Sequence, residues 1–262
     1  MPDTSTPGTR KGAKPLIRSV DRTLGAIARA GVATLIARPF IALNYKVEII
    51  GGEDALSCTD GALVVANHVS FLDGPFLMSA AWPYARIRPT AWHAEYNDPA
   101  QWWLMKLFSV VCLGSPRQPP RGWHKVDLNR EQLWIEERAR RKSQSQEIMS
   151  KILDAGRHLL VFCEGSIGDG SGVQIPSQLS GVHDLIREHP DKPVLLVKIE
   201  GLECSRFGKK RPAAPLLQRF TVRVTLQRVD NVSLDGGPAG LNARLEAHFN
   251  QGVPLATGKV GS

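Results

Sequence analysis

What the chain lacks narrows it before any motif is read. Its four cysteines, Cys58, Cys112, Cys163 and Cys204, are scattered and form no CxxC pair. That argues against a disulfide framework or a thiolate zinc site and fits reduced thiols in a cytosolic setting. Seven histidines are dispersed with no HExxH or HxxxH spacing, so no metal site is expected. Aromatic residues make up 6% and do not interleave with the basic ones, and no zinc-finger or RNP-like pattern occurs, so nucleic acid is not an expected partner. No apolar stretch with a small-residue cleavage site follows the start, and no secretory signal is expected. Neither Ser166 nor Ser171 has glycine two residues before it, which excludes a nucleophile elbow. Gly168, Gly170 and Gly172 fail the GxGxxG spacing of a dinucleotide site.

Acidic residues are also short in number, 25 against 33 basic ones, for a net charge of +8. Such an excess suits an anionic partner, either acidic lipid headgroups or a phosphorylated substrate, although a merely soluble basic protein carries the same signature. The 262 residues and the 42% apolar fraction suffice for one large domain, or for a core domain with a small appendage.

Three regions follow in order. Residues 1–14 are polar, basic and rich in Pro, Gly and Thr, and are expected to be a disordered tail. Residues 15–43 are largely apolar, but Arg29 and Arg38 interrupt them and Pro39 breaks their end. A membrane span needs about 20 apolar residues with few charges. The alternatives are an amphipathic helical segment at a membrane interface, its arginines at phosphate level, and a core helix packed on the domain. Residues 44–262 alternate short apolar strands with helical patterns. Strands are expected at 45–50, 62–66, 86–92, 110–113, 158–163, 193–199 and 220–229. Helices are expected at 74–81, 98–110, 126–156, 181–188 and 238–250, with Gly156 closing the long charged one, whose EERARRKSQSQ run reads as a solvated face. This pattern predicts an α/β domain built on a single mixed, largely parallel sheet flanked by helices.

Two strand ends carry chemistry. Residues 61–74, GALVVANHVSFLDG, bring a buried strand to Asn67-His68, with Asp73 five residues after His68. In an unbroken helix, residues five apart are rotated by about 140° and do not meet. Contact between His68 and Asp73 therefore requires a loop that bends into a helix near Leu72-Asp73-Gly74. A carboxylate on one imidazole nitrogen would fix the tautomer and leave the other free to take a proton, the wiring of a general base. The competing reading is a strand-end histidine that caps or packs. The strand HLLVFC, residues 158–163, ends on Glu164-Gly165-Ser166. A Glu after a buried strand needs a partner or ligand, unless it caps the turn that follows. If the two strands are neighbours, both clusters line one crevice at the carboxyl ends of the sheet. Cys163 reads as an inert buried thiol.

NHVSFLD and FCEGS together resemble the NHxSxxD and FPEGTRS blocks of the glycerophospholipid acyltransferase superfamily. Leu113-Gly114-Ser115-Pro116-Arg117 is similar to its glycine-to-arginine block, and KPVLLVKIEGL, residues 192–202, to its Pro-Val-rich strand block. YKVEIIGGEDAL, residues 45–56, resembles the strand and turn before the histidine, and all blocks fall in family order over residues 45–208. IEGLECSRFGK, residues 199–209, is similar to the branch that reacylates lysophospholipids such as lysophosphatidylethanolamine.

The resemblance implies transfer of a fatty acyl group from acyl-CoA or acyl-carrier protein to a lipid hydroxyl, with no cofactor beyond the thioester co-substrate. The 15–43 stretch and the +8 charge separately suggest a peripheral or monotopic protein at the cytoplasmic face of an anionic membrane. His68 would be the base and Asp73 its orienting carboxylate. Asn67 and Ser70 would set the loop or offer hydrogen bonds. Glu164, Gly165 and Ser166 match the acceptor-binding block, and Arg117 matches a phosphate-binding arginine. The chain departs from the pattern by an insertion around 118–150 that separates the blocks, which would cap the site or bind a carrier protein, and at three points in the blocks themselves. Cys163 and Leu196 stand where the family has prolines, and Ser166-Ile167 stand where an arginine follows Glu-Gly. The missing arginine argues against lysophosphatidic acid as acceptor and for either a lysophospholipid with a substituted headgroup or an acceptor without phosphate. A non-catalytic lipid-binding protein with the same fold is the alternative.

Overall fold

The computed structural model describes residues 38–52, 55, 60–81, 87–92, 105, 108–114, 128–168, 171–203 and 219–255. The tail 1–14, most of the 15–43 segment, Arg117 and most of the helix expected at 98–110 lie outside them. A short helix α1 (Arg38–Asn44) runs directly into strand β1 (Tyr45–Ile50). There follow β2 (Leu63–Ala66), α2 (Asp73–Ala81), β3 (Ile87–Trp92), β4 (Val111–Leu113), α3 (Leu128–Asp154) and β5 (His158–Phe162). The chain continues through α4 (Gly181–Glu188), β6 (Val194–Glu200), β7 (Phe220–Val229) and α5 (Gly237–Gln251).

The seven described strands form one sheet in the order β1-β7-β6-β2-β5-β3-β4. Strands β6, β2, β5, β3 and β4 run parallel, as expected for strands joined by helical crossovers. β7 pairs antiparallel to β6, and β1 pairs parallel to β7, so these two run the other way. The sheet is mixed and mostly parallel, in agreement with the sequence pattern.

Burial on both faces explains why β2, β5 and β6 read as unbroken apolar runs. On one face Leu63, Val65, Leu159, Val161 and Leu196 pack under Leu153 of α3, Leu185 of α4 and Leu241, Leu245 and Phe249 of α5. On the other face Val64, Ala66, Leu160, Leu195 and Val197 pack with Phe76 and Leu77 of α2. α3 ends where Gly156 takes a left-handed φ of 64°. There the Arg157 N–H donates to the Ile152 carbonyl and the Gly156 N–H to that of Leu153, the paired bonds of a Schellman stop. The charged half of α3 faces solvent, where Glu137 pairs with Arg140 and Arg141 at 2.7 and 2.5 Å. Among the described residues, no helix is long and apolar enough to cross a membrane.

Register places the site. Ala66 is level with Phe162 on one side and with Val197 on the other. The residues that follow β2 and β5 therefore emerge side by side at the same edge of the sheet. The irregular segment after β5 is held from below by α5. The Asn250 carboxamide accepts from the Val173 N–H at 2.8 Å and donates to its carbonyl at 2.9 Å. Asn242 donates to the carbonyls of Pro176 and Leu179, and the Glu246 carboxylate accepts from the Ile175 N–H. A segment without strand pairing thus has its backbone satisfied by side chains, which fixes its path past the end of β2.

Candidate active site

Asn67 is where β2 stops being a strand. Its buried carboxamide donates to the Ile199 carbonyl at 2.9 Å and accepts from the Ile199 N–H at 2.7 Å. The side chain stands in for a backbone rung, so the main chain can leave the sheet without orphaning β6. The next residues wrap around one carboxylate oxygen. Asp73 Oδ2 accepts from the backbone N–H of Val69 at 2.6 Å, from that of Ser70 at 2.9 Å, and from His68 Nδ1 at 2.9 Å. Ser70 is fully buried; its Oγ accepts from the Leu72 N–H at 3.2 Å and its carbonyl from the Asp73 N–H at 3.1 Å. The bend required for His68 to reach Asp73 is this turn, which closes at the first residue of α2.

The electrostatics pull in two directions. Burial raises the Asp73 carboxyl above its ordinary value on balance, although His68 and the amides of Ser70 and Val69 pull it down. The amino end of α2 adds a favourable dipole for negative charge. Three donors converge on Oδ2, and Oδ1 has no hydrogen-bond partner among the described residues. A proton placed on Oδ1 would find no acceptor, and one placed on Oδ2 would displace a donor. The geometry therefore favours the carboxylate, with the proton on His68 Nδ1 and Nε2 left as the acceptor. Asp73 is 0% exposed and the His68 side chain 20%, so solvent reaches the imidazole but not the acid behind it.

The loop after β5 holds the same histidine by its main chain. Glu164 Oε2 accepts from the His68 N–H at 2.8 Å, and the Gly168 N–H donates to the His68 carbonyl at 2.6 Å. Gly168 has little room: a Cβ there would lie 3.2 Å from Glu164 Oε1 and 3.3 Å from the His68 carbonyl oxygen. Gly165 takes a φ of 65°, which turns the chain directly after Glu164. Burial pushes the Glu164 carboxyl up to about 7, against the donated bonds from the His68 and Gln174 backbone. Burial also drives the Cys163 thiol well up, and the neighbouring Glu164 adds to it, which suits an inert thiol rather than a nucleophile.

Most of the expected site residues thus meet at one edge of the sheet. His68, Asp73 and Glu164 form a connected cluster, with Gly165 in its turn. Asn67 and Ser70 spend their polar groups on the protein's own backbone, so of their two expected roles they fill the one of setting the loop. Ser166 is exposed in the loop that follows β5. One residue was not anticipated: Phe162 stacks on the His68 ring, with centroids 4.1 Å apart and planes at 17°. It heads the FCEGS block, which singles out the position, but its contact with His68 depends on register that a sequence pattern does not supply.

The profile of the Acyltransferase family matches residues 46–197, more than half of the chain. The chain belongs to the acyltransferase family. The matched span of this acyltransferase contains β2, β5 and both of their terminal clusters. Its fold is also similar to that of a 1-acyl-sn-glycerophosphate (LPA) acyltransferase, PlsC, from Thermotoga maritima, with a TM-score of 0.55 at 20% identity. That likeness covers 90% of this chain and 84% of the other, and at this identity it speaks to fold.

The raised Glu164 carboxyl gives a signed prediction. Between its ordinary value of 4.5 and about 7 the folded protein holds a proton that the unfolded chain has released. Its stability contribution is therefore full below 4.5 and is lost as pH rises through about 7. In Glu164→Gln that dependence disappears, so the stability of the variant relative to wild type should improve by roughly 1–3 kcal/mol between pH 5 and pH 8. Denaturant unfolding at the two pH values checks this; an unchanged gap would contradict it.

Proposed function

We propose that this acyltransferase moves a fatty acyl group from acyl-CoA or acyl-carrier protein to the hydroxyl of a lysophospholipid, with His68 as the general base. One observation supports the reading most. An imidazole at the end of a parallel strand is fixed through Nδ1 by a fully buried carboxylate, while the ring itself remains within reach of solvent. In the proposed reaction His68 Nε2 takes the acceptor's hydroxyl proton as its oxygen attacks the thioester carbonyl. A C–O bond forms and the carbonyl π pair moves onto oxygen. Collapse of that intermediate breaks the C–S bond, and the thiolate leaves with the proton that the imidazolium returns. Asp73 orients the ring and offsets the imidazolium charge without itself taking the proton. No cofactor beyond the thioester co-substrate enters these steps.

The acceptor follows from a residue that is not there. Ser166 and Ile167 stand after Glu164-Gly165 in place of an arginine, so no guanidinium fork occupies that position for a terminal phosphate. A lysophospholipid with a substituted headgroup suits the site better than lysophosphatidic acid. Arg117, in its glycine-to-arginine block, is the proposed contact for the phosphodiester. Incubation of the purified chain with labelled acyl-CoA or acyl-carrier protein and a panel of lysolipids should give acylated product, preferentially with a substituted headgroup. His68→Ala should lower turnover by roughly 10²–10⁴-fold. Full turnover in that variant would refute the base. Tight lysolipid binding without product would favour a non-catalytic lipid-binding protein.

The site is also proposed to work as a peripheral protein at the cytoplasmic face of an anionic membrane. The net charge of +8 and the apolar, arginine-interrupted 15–43 stretch support this. In the described end of that stretch, Phe40 and Leu43 are 41% and 69% exposed. Flotation with anionic vesicles should recover the full chain and lose the chain lacking residues 1–43. Equal recovery of the two would remove that segment's role.

A further inference from the structure

We propose that Phe162 is a positioning residue for the acyl transfer: its ring holds the plane of the His68 imidazole and favours the protonated ring that forms as the hydroxyl is deprotonated. The catalytic half of this inference rests on the function proposed above. His68 is held at three other points. Asp73 engages Nδ1, Glu164 engages its backbone N–H and the Gly168 N–H engages its carbonyl. The backbone contacts fix the Cα. A single bond at Nδ1, however, leaves the ring free to rock about the Nδ1···Oδ2 line, which swings Nε2 through the space the hydroxyl must occupy.

The phenyl ring removes that freedom. Its centroid lies 4.1 Å from that of the imidazole, with the planes within 17° of parallel. Register delivers it there. Phe162 pairs with Ala66 across the β2–β5 ladder, and the small buried Ala66 leaves room for the ring to lean toward His68, two residues further on. Phe162 is itself partly buried against the core on the α2 side of the sheet, so it offers a seated surface rather than a loose one.

The stack discriminates between protonation states. A phenyl face carries negative quadrupole potential, which attracts a cation above it more than a neutral ring. The contact therefore strengthens as His68 gains its proton. An interaction stronger in the transition state than in the ground state raises kcat, whereas one equal in both leaves kcat alone. With one imidazole face covered, the hydroxyl and thioester are directed to the ring edge at Nε2 and to the opposite face.

The test uses the full-length chain with Phe162→Leu and Phe162→Met, which remove the ring, and Phe162→Tyr, which keeps it. Two readouts are needed, and the first does not involve turnover. In protein labelled with ¹³C-histidine, the His68 C–H resonances, identified by their loss in His68→Gln, lie under the ring current of Phe162. They should move downfield in the Leu and Met variants and stay near their wild-type positions in Tyr. In the acylation assay, kcat should fall roughly 5- to 30-fold in the ring-less variants at unchanged KM, and Tyr should restore it. His68 resonances that are the same with and without the ring would overturn the proposal. So would a wild-type kcat in a folded ring-less variant, or a loss that Tyr does not restore. If the wild-type protein acylates no acceptor, the proposed function falls and takes the kinetic half with it, while the resonances still decide whether Phe162 holds the ring.

Discussion

Asp73 Oδ2 lies at 0% exposure and gathers the N–H groups of Val69, Ser70 and the His68 ring, and this convergence sets the geometry of everything around it. Removing a carboxylate from water costs several kcal/mol after relaxation. Hydrogen bonds to a charged group return about 1.5–3 kcal/mol each. Three of them, with the amino end of α2, offset much of that cost, and do so only if the turn has its present shape. The turn and the charge therefore specify each other. Without the carboxylate, two backbone amides would be left buried and unpaired; without the turn, the carboxyl would shed its charge.

That constraint reaches the His68 imidazole through the sheet. β2 lies between β5 and β6, and each neighbour supplies one support for its end. From β6, Ile199 offers its backbone to the Asn67 carboxamide, which lets the chain leave the ladder at the right residue. From the β5 side come Phe162, Glu164 and Gly168, which address the ring, the amide and the carbonyl of His68. α5 in turn satisfies the backbone of the segment that follows, through Asn242, Glu246 and Asn250. Elements remote in sequence thus converge on one imidazole, as expected where a parallel sheet presents its carboxyl ends.

Much of this was legible in the residues. The apolar runs of β2, β5 and β6 appear as such because both faces of a parallel sheet are covered, and Gly156 announces the stop of α3. The His68–Asp73 pair was readable from spacing together with the need for a bend. Strand order and direction were not, because a strand's pattern records burial on its faces and not the identity of its neighbours. For that reason the reversed direction of β1 and β7, and the stack of Phe162 on His68, emerge only in three dimensions. Asn67 and Ser70 illustrate the same limit. Their chemistry suits a ligand or a backbone equally, and only the position of Ile199 and Leu72 decides between them.

The claim on which the rest depends is that His68 and Asp73 act as one unit in acyl transfer. A double-mutant cycle tests it most directly, with acylation rates for wild type, His68→Ala, Asp73→Asn and the double variant. The expected result is strong non-additivity: once His68 is gone, the change at Asp73 should have almost no further effect on rate. Losses that multiply, so that the double variant is slower than His68→Ala by the full factor of Asp73→Asn alone, would contradict it.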